Sequence, residues 1–88
     1  MRGRNVISVS LDPTGELVAV SVSDLHEVGN VPDSVYVFRI RDGIEVFRRF
    51  LPPFSHPSVQ FLGPSLLAYT DYDGSDGFVR VVKVPGTR

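Results

Sequence analysis

Turn-forming residues interrupt this chain so often that a helix has no room to develop. Gly (8) and Pro (7) are spread along its 88 residues, and no window between them repeats apolar residues at three-to-four spacing. What remains is a series of short runs rich in Val, Ile, Tyr and Phe, each bounded by turn residues, which is the signature of many short strands. Seven runs stand out: Val6–Leu11, Leu17–Val22, Val35–Ile40, Ile44–Phe50, Ser58–Leu62, Leu66–Thr70 and Phe78–Val84. In the first, Ile7, Val9 and Leu11 alternate with Ser8 and Ser10, as expected of a half-buried strand. Asp12-Pro13-Thr14-Gly15 follows it with turn chemistry at each place: an Asp to cap, a Pro that pre-sets φ and a Gly that tolerates positive φ. Pro52-Pro53 ends the fourth run, because neither residue can donate to a ladder. Ser23–Asp33 and Asp71–Gly77 read as loops. The expectation is an all-β antiparallel meander of about seven strands, filling residues 1–88 as a single unit.

Size and charge narrow what such a meander can do. A domain this small buries only roughly 60–65 % of its unfolded surface, so its core is thin. Small folds compensate with disulfides, metals or association. There is no cysteine, which removes disulfides and thiolate metal sites, and the only imidazoles are His26 and His56. Added stabilisation is therefore expected from a partner or from self-association. With a net charge of −1 and 22 % charged residues, the chain lacks the basic excess of nucleic-acid or anionic-membrane binders. No run approaches the roughly 20 apolar residues of a membrane span. Met1-Arg2-Gly3-Arg4 is basic, but Ser8, Ser10 and Asp12 break the apolar stretch of about 7–15 residues that a signal peptide needs, so the expected compartment is the cytoplasm.

The two halves of the chain align. Val9 and Leu11 match Val59 and Phe61; Leu17, Val18 and Ala19 match Leu66, Leu67 and Ala68; Val35, Val37 and Ile40 match Val79, Val81 and Val84. The offset falls from 50 to 44 residues because the first half has the longer loop between its second and third runs. A period in the forties with about four strands per period is the spacing of β-propeller blades. The phrase SLDPTGELVAVS resembles the turn and second strand of a WD-repeat blade, where F-S-P-D-G-x-x-L-A is usual. SVYVFRIRDGIEV resembles its third and fourth strands, and SVQFLGPSLLAYTDYDGSDGFVRVVKV repeats both phrases.

The resemblance covers about Val6 to Val84 and implies one blade over about residues 5–51 and a partial second blade over about 57–84, lacking its outermost strand. It sets Phe38 where the repeat's Trp falls, as a buried blade residue, and Arg39 where its Asp falls. The Trp-Asp dipeptide is absent from both halves. The Gly-His dipeptide is missing too, since His56 stands too close to Phe61, so the hydrogen-bonded tetrad those residues build is not expected. Two blades cannot close a ring, because propellers use about 4–8. Completion is then expected from copies of the chain, from another β-propeller-type protein, or from the remainder of a longer chain. Head-to-tail packing of three or four copies would give six or eight blades, with two-fold pairing of open sheets the competing arrangement.

Candidate sites follow from residue chemistry. Asp71, Asp73 and Asp76, interleaved with Gly74 and Gly77, resemble a carboxylate wrap for Ca²⁺. The EF-hand pattern needs Gly at position six and Glu at twelve; here Gly stands at four, Asp at six and Val82 at twelve, as in a plain polar turn. Arg39, Arg41, Arg48, Arg49 and Arg80 with Lys83 fall on the third and fourth strands of the halves, either as a basic grip on a carboxylate or phosphate partner or as a solvated face balanced by Asp42 and Glu45. His26 and His56 lie in loops near serines, but no G-x-S-x-G phrase accompanies them. Phe54, beside Pro52-Pro53, is the expected exposed aromatic for a partner contact. The function read from the sequence is a non-catalytic protein-binding or assembly module without a cofactor. Its alternatives are a small-ligand or Ca²⁺-binding propeller-like protein and a fragment of a larger propeller.

Overall fold

A computed structural model describes residues 5–23, 32–52, 55–72 and 75–85. These form seven strands and no helix: β1 (Asn5–Leu11), β2 (Leu17–Ser23), β3 (Asp33–Arg39), β4 (Glu45–Leu51), β5 (Val59–Gly63), β6 (Leu66–Tyr72) and β7 (Gly77–Lys83). They make two antiparallel sheets, β1-β2-β3-β4 and β5-β6-β7, each a simple meander.

The turns work as their residues dictate. Asp12 closes the first, its amide donating to the Leu17 carbonyl at 2.9 Å while its own carbonyl accepts from Gly15 at 2.8 Å. Gly15 sits at φ 77°, a region that other residues enter only at a cost. Between β3 and β4, Arg39 and Ile44 pair through the backbone at 2.8 Å, Gly43 takes φ 72°, and the Asp42 carboxylate accepts from the Ile44 amide at 3.1 Å. The Ile40 amide then donates to the Glu16 carbonyl at 2.9 Å, fastening this turn to the first.

The core lies between the sheets. Leu17, Ala19, Val35, Val37 and Leu51 point from the first sheet, and Val59, Phe61, Leu67 and Tyr69 from the second, with Val84 joining them. Phe47 and Tyr69 meet across the gap with ring centroids 6.2 Å apart. The Cα envelope is only 15 Å deep in its thinnest direction, which holds two sheet layers spaced about 10 Å apart and no third. Each sheet therefore has one face toward its neighbour and one face outward.

Two expectations need correction. Phe38 is half-buried rather than buried. It pairs with Val18 on the outward face of the first sheet and stacks on Tyr36 with centroids 5.9 Å apart, because alternation gives the inward positions to Val35 and Val37. Asp71 is not in a turn. β6 stays paired with β7 as far as Tyr72↔Gly77, so Asp71 is a buried strand residue pointing toward the first sheet.

Candidate docking faces and the polar seam between the sheets

The first strands of the two sheets, β1 and β5, are edge strands that lie side by side without a backbone ladder between them. Side chains make the bonds instead. The Val59 amide donates to Ser8 Oγ at 3.2 Å, the Phe61 amide to Ser10 Oγ at 2.9 Å, and the Ser65 amide to Asp12 Oδ1 at 3.1 Å. A buried amide without an acceptor costs about 1–3 kcal/mol, and these acceptors supply one for each. The alternating serines of β1 are thus the means by which one sheet holds the next.

Two buried carboxylates recur in a related role. Asp12 takes the amide of Ser65, which has φ 60°, and Asp33 takes the amide of His56, which has φ 48°, at 2.7 Å. Both are non-glycine residues in the left-handed region, which costs roughly 1–2 kcal/mol. In each case a carboxylate of the first meander, Asp12 from its β1–β2 turn and Asp33 from β3, fixes the amide of a strained residue that follows it in the chain. Ser23 completes the second cluster: its hydroxyl donates to Asp33 Oδ1 at 3.1 Å and lies 3.3 Å from His56 Nδ1. In a catalytic triad the imidazole takes the serine proton and the carboxylate holds the imidazole; here the carboxylate holds the His56 backbone.

At the far end of the interface Asp71 meets two guanidinium groups, Arg80 Nε at 2.6 Å and Arg49 Nη2 at 3.4 Å, and accepts from its neighbour Tyr72's amide at 2.7 Å. Burial pushes its pKa up. Against that, the Arg80 hydrogen bond, the Tyr72 amide and the two positive charges hold it below the ordinary carboxylate value. Burial also raises the neighbouring Tyr69 hydroxyl above its usual value.

The other predicted site residues are dispersed. Arg39 is chelated by Asp42 through Nε at 3.1 and 3.0 Å and Nη2 at 2.7 Å, a bond that raises the arginine pKa and lowers that of the aspartate. Arg41 reaches Asp42 at 4.0 Å. With Gly15, Glu16, Arg39 and Ile40 it lines a 270 Å³ cleft at the turn end of the first sheet. Arg48 pairs with Glu45 at 2.8 Å and lies over the Phe50 ring. Strand alternation sends Arg48 and Arg49 to opposite faces, since their partners Tyr36 and Val35 are on opposite faces, so these arginines do not form one basic surface. Asp76 is exposed. Among the described residues no group of three or more His, Cys, Asp or Glu is placed to hold a metal ion. His26, Phe54 and Asp73 lie outside the described residues.

The outward faces are apolar. On the first sheet, Leu11, Val18 and Phe38 form one cross-strand row and Val9, Val20 and Tyr36 the next, with Val9 59 % and Leu11 64 % exposed. On the second, Val79 is 64 % and Val81 53 % exposed, beside half-buried Leu66 and Ala68. A shallow depression of 210 Å³ runs over this region, lined by Ser58, Gln60, Ala68, Thr70 and Val79 among others. The sequence had shown the apolar residues of both faces; the sheet pairing shows which of them are left outside. Among the described residues no helix is long and apolar enough to cross a membrane. No known protein family, curated protein or solved structure matches this chain.

Proposed function

We propose that this chain is a two-blade unit of β-propeller type that serves as a non-catalytic protein-binding and assembly module. The observation that carries this reading is the pair of outward apolar faces, with Val9 and Leu11 on one and Val79 and Val81 on the other. Exposed apolar patches of that kind mark interaction sites. Two further features support it. First strands side by side and successive meanders packed face to face are how blades adjoin, and the long-range polar bonds are spent on joining the sheets rather than on an open pocket.

Carbene footprinting of the chain in its native assembly tests the proposal. Val9, Leu11, Val79 and Val81 should be protected relative to Ile40 and Ile44, turn residues that are 47 % and 51 % exposed. Equal labelling of all six would remove the assembly reading.

A further inference from the structure

The outward face of the second sheet repeats, row for row, the face that the first sheet buries. In the first sheet the inward cross-strand rows are Leu17↔Arg39, Ala19↔Val37 and Ser21↔Val35. In the second, the outward rows are Leu66↔Lys83, Ala68↔Val81 and Thr70↔Val79. Each row has the same chemistry in the same order: leucine with a basic residue, alanine with valine, a small hydroxyl with valine. Leu17, Ala19, Val35 and Val37 are fully buried, whereas Val79 and Val81, the counterparts of the last two, are more than half exposed. Ser58 and Gln60, both exposed, stand on β5 and beside it where Ser8 and Ser10 stand on β1.

The converse holds for the other outward face. Within the chain, the buried face is covered by Val59, Phe61 and Leu67. Their repeat counterparts are Val9, Leu11 and Val18, whose face on the first sheet points outward. The molecule therefore carries both halves of an interface twice: one pair of halves is joined internally, and the other pair is divided between its two ends.

On the two-blade reading, we propose that the occupant of these faces is a second copy of this chain, with the second-sheet face of one copy on the first-sheet face of the next. The contact reuses the geometry of the internal interface: apolar rows meet apolar rows, and Ser58 and Gln60 take up the strand-holding role of Ser8 and Ser10. Such an interface is heterologous, with different patches on the two partners, so it runs head to tail and closes only at suitable copy numbers. Two, three or four copies would complete rings within the range of about 4–8 blades.

Light scattering on the full chain at micromolar concentration, with two face-blocking variants, tests this. Val81→Asp blocks the second-sheet face and Val9→Asp the first-sheet face, and both positions are exposed within one copy. Wild type should have a mass about two to four times the 9.7 kDa of one copy. Each variant alone should fall to the mass of one copy, and an equimolar mixture should form a one-to-one complex, because each variant retains the face that the other needs. Far-UV circular dichroism checks folding, and Val79→Asp replaces Val81→Asp if that variant unfolds. Wild type folded at the mass of one copy overturns the proposal, as does either variant keeping the wild-type mass. A mixture that stays at the mass of one copy excludes head-to-tail packing. If the purified chain has the mass of one copy but its faces are protected in the native assembly, the self-association fails and the assembly reading stands.

Discussion

Replacing Asp71 by Asn separates the charge of this buried group from its shape. Asn fills nearly the same volume and accepts a hydrogen bond, but it is neutral. Asp71 accepts from Arg80 at 2.6 Å and from the Tyr72 amide at 2.7 Å, with its side chain 3 % exposed. A hydrogen bond to a charged group contributes about 1.5–3 kcal/mol against about 0.5–1.5 for a neutral one, so each bond should weaken by roughly 1 kcal/mol. Arg49, at 3.4 Å and half exposed, adds no more than about 0–1 kcal/mol. The expected loss is about 2 kcal/mol, or roughly 8–16 °C in Tm for a domain of this size. The effect should depend on pH. The folded pKa lies below the unfolded value of about 3.9, so the Asp71 contribution is complete above that value and is lost as pH falls through the lower folded one. Urea unfolding followed by circular dichroism, at fixed protein concentration near pH 7 and near pH 2.5, reads both effects. Equal stability of Asp71→Asn and wild type near pH 7 would refute the reasoning, as would a gap of the same size at both pH values.

Ser10→Ala removes the acceptor of the Phe61 amide and should cost about 1–2 kcal/mol in urea melts. Leu67→Ala, at a fully buried site in the core, should cost about 2–5 kcal/mol; in the Val9→Asp background, where the outward face is left uncovered, Phe38→Ala should cost clearly less, and the reverse order there would show that the two faces are misassigned. Among the described residues Ser21 Oγ is buried and has no hydrogen-bond partner, so Ser21→Ala should leave Tm unchanged or raise it, since an unpaired buried hydroxyl is itself unfavourable. A clear drop would mean that this hydroxyl has a partner in solution.

The strands were legible because each run of β-branched and aromatic residues is fenced by Gly, Pro or Asp, and the four-plus-three division into sheets falls at Pro52. The choice of inward face was not legible. In β3 both Val35–Val37 and Tyr36–Phe38 are apolar, so alternation alone does not say which pair meets the second sheet. The roles of Ser8 and Ser10 were hidden for a related reason: serine at alternate positions is also what a solvated face shows, and only the position of β5 distinguishes the two. In the sequence Asp71 has the look of a turn residue because Asp and Gly cluster after it. Its place in the strand depends on pairing with Phe78 and on the charge of Arg80 across the ladder, and neither is a local property. The repeat was readable in the sequence, but that one copy of its apolar rows is covered and the other is not follows from the fold.

The side-chain seam between β1 and β5 also bears on the order in which the molecule forms. Every ladder within a sheet joins strands adjacent in the chain, whereas the seam joins residues 51 to 53 positions apart. Closing a loop of that length carries an entropic cost that successive hairpins avoid, and distant contacts are the slow part of β-sheet folding. The two meanders should therefore take shape separately and lock together last, with the Ser8 and Ser10 hydroxyls capturing the β5 amides after the rate-limiting step. In stopped-flow kinetics, Ser10→Ala should then speed unfolding and leave the refolding rate almost untouched, giving a φ-value near zero. A φ-value near one would place the seam at the start of folding.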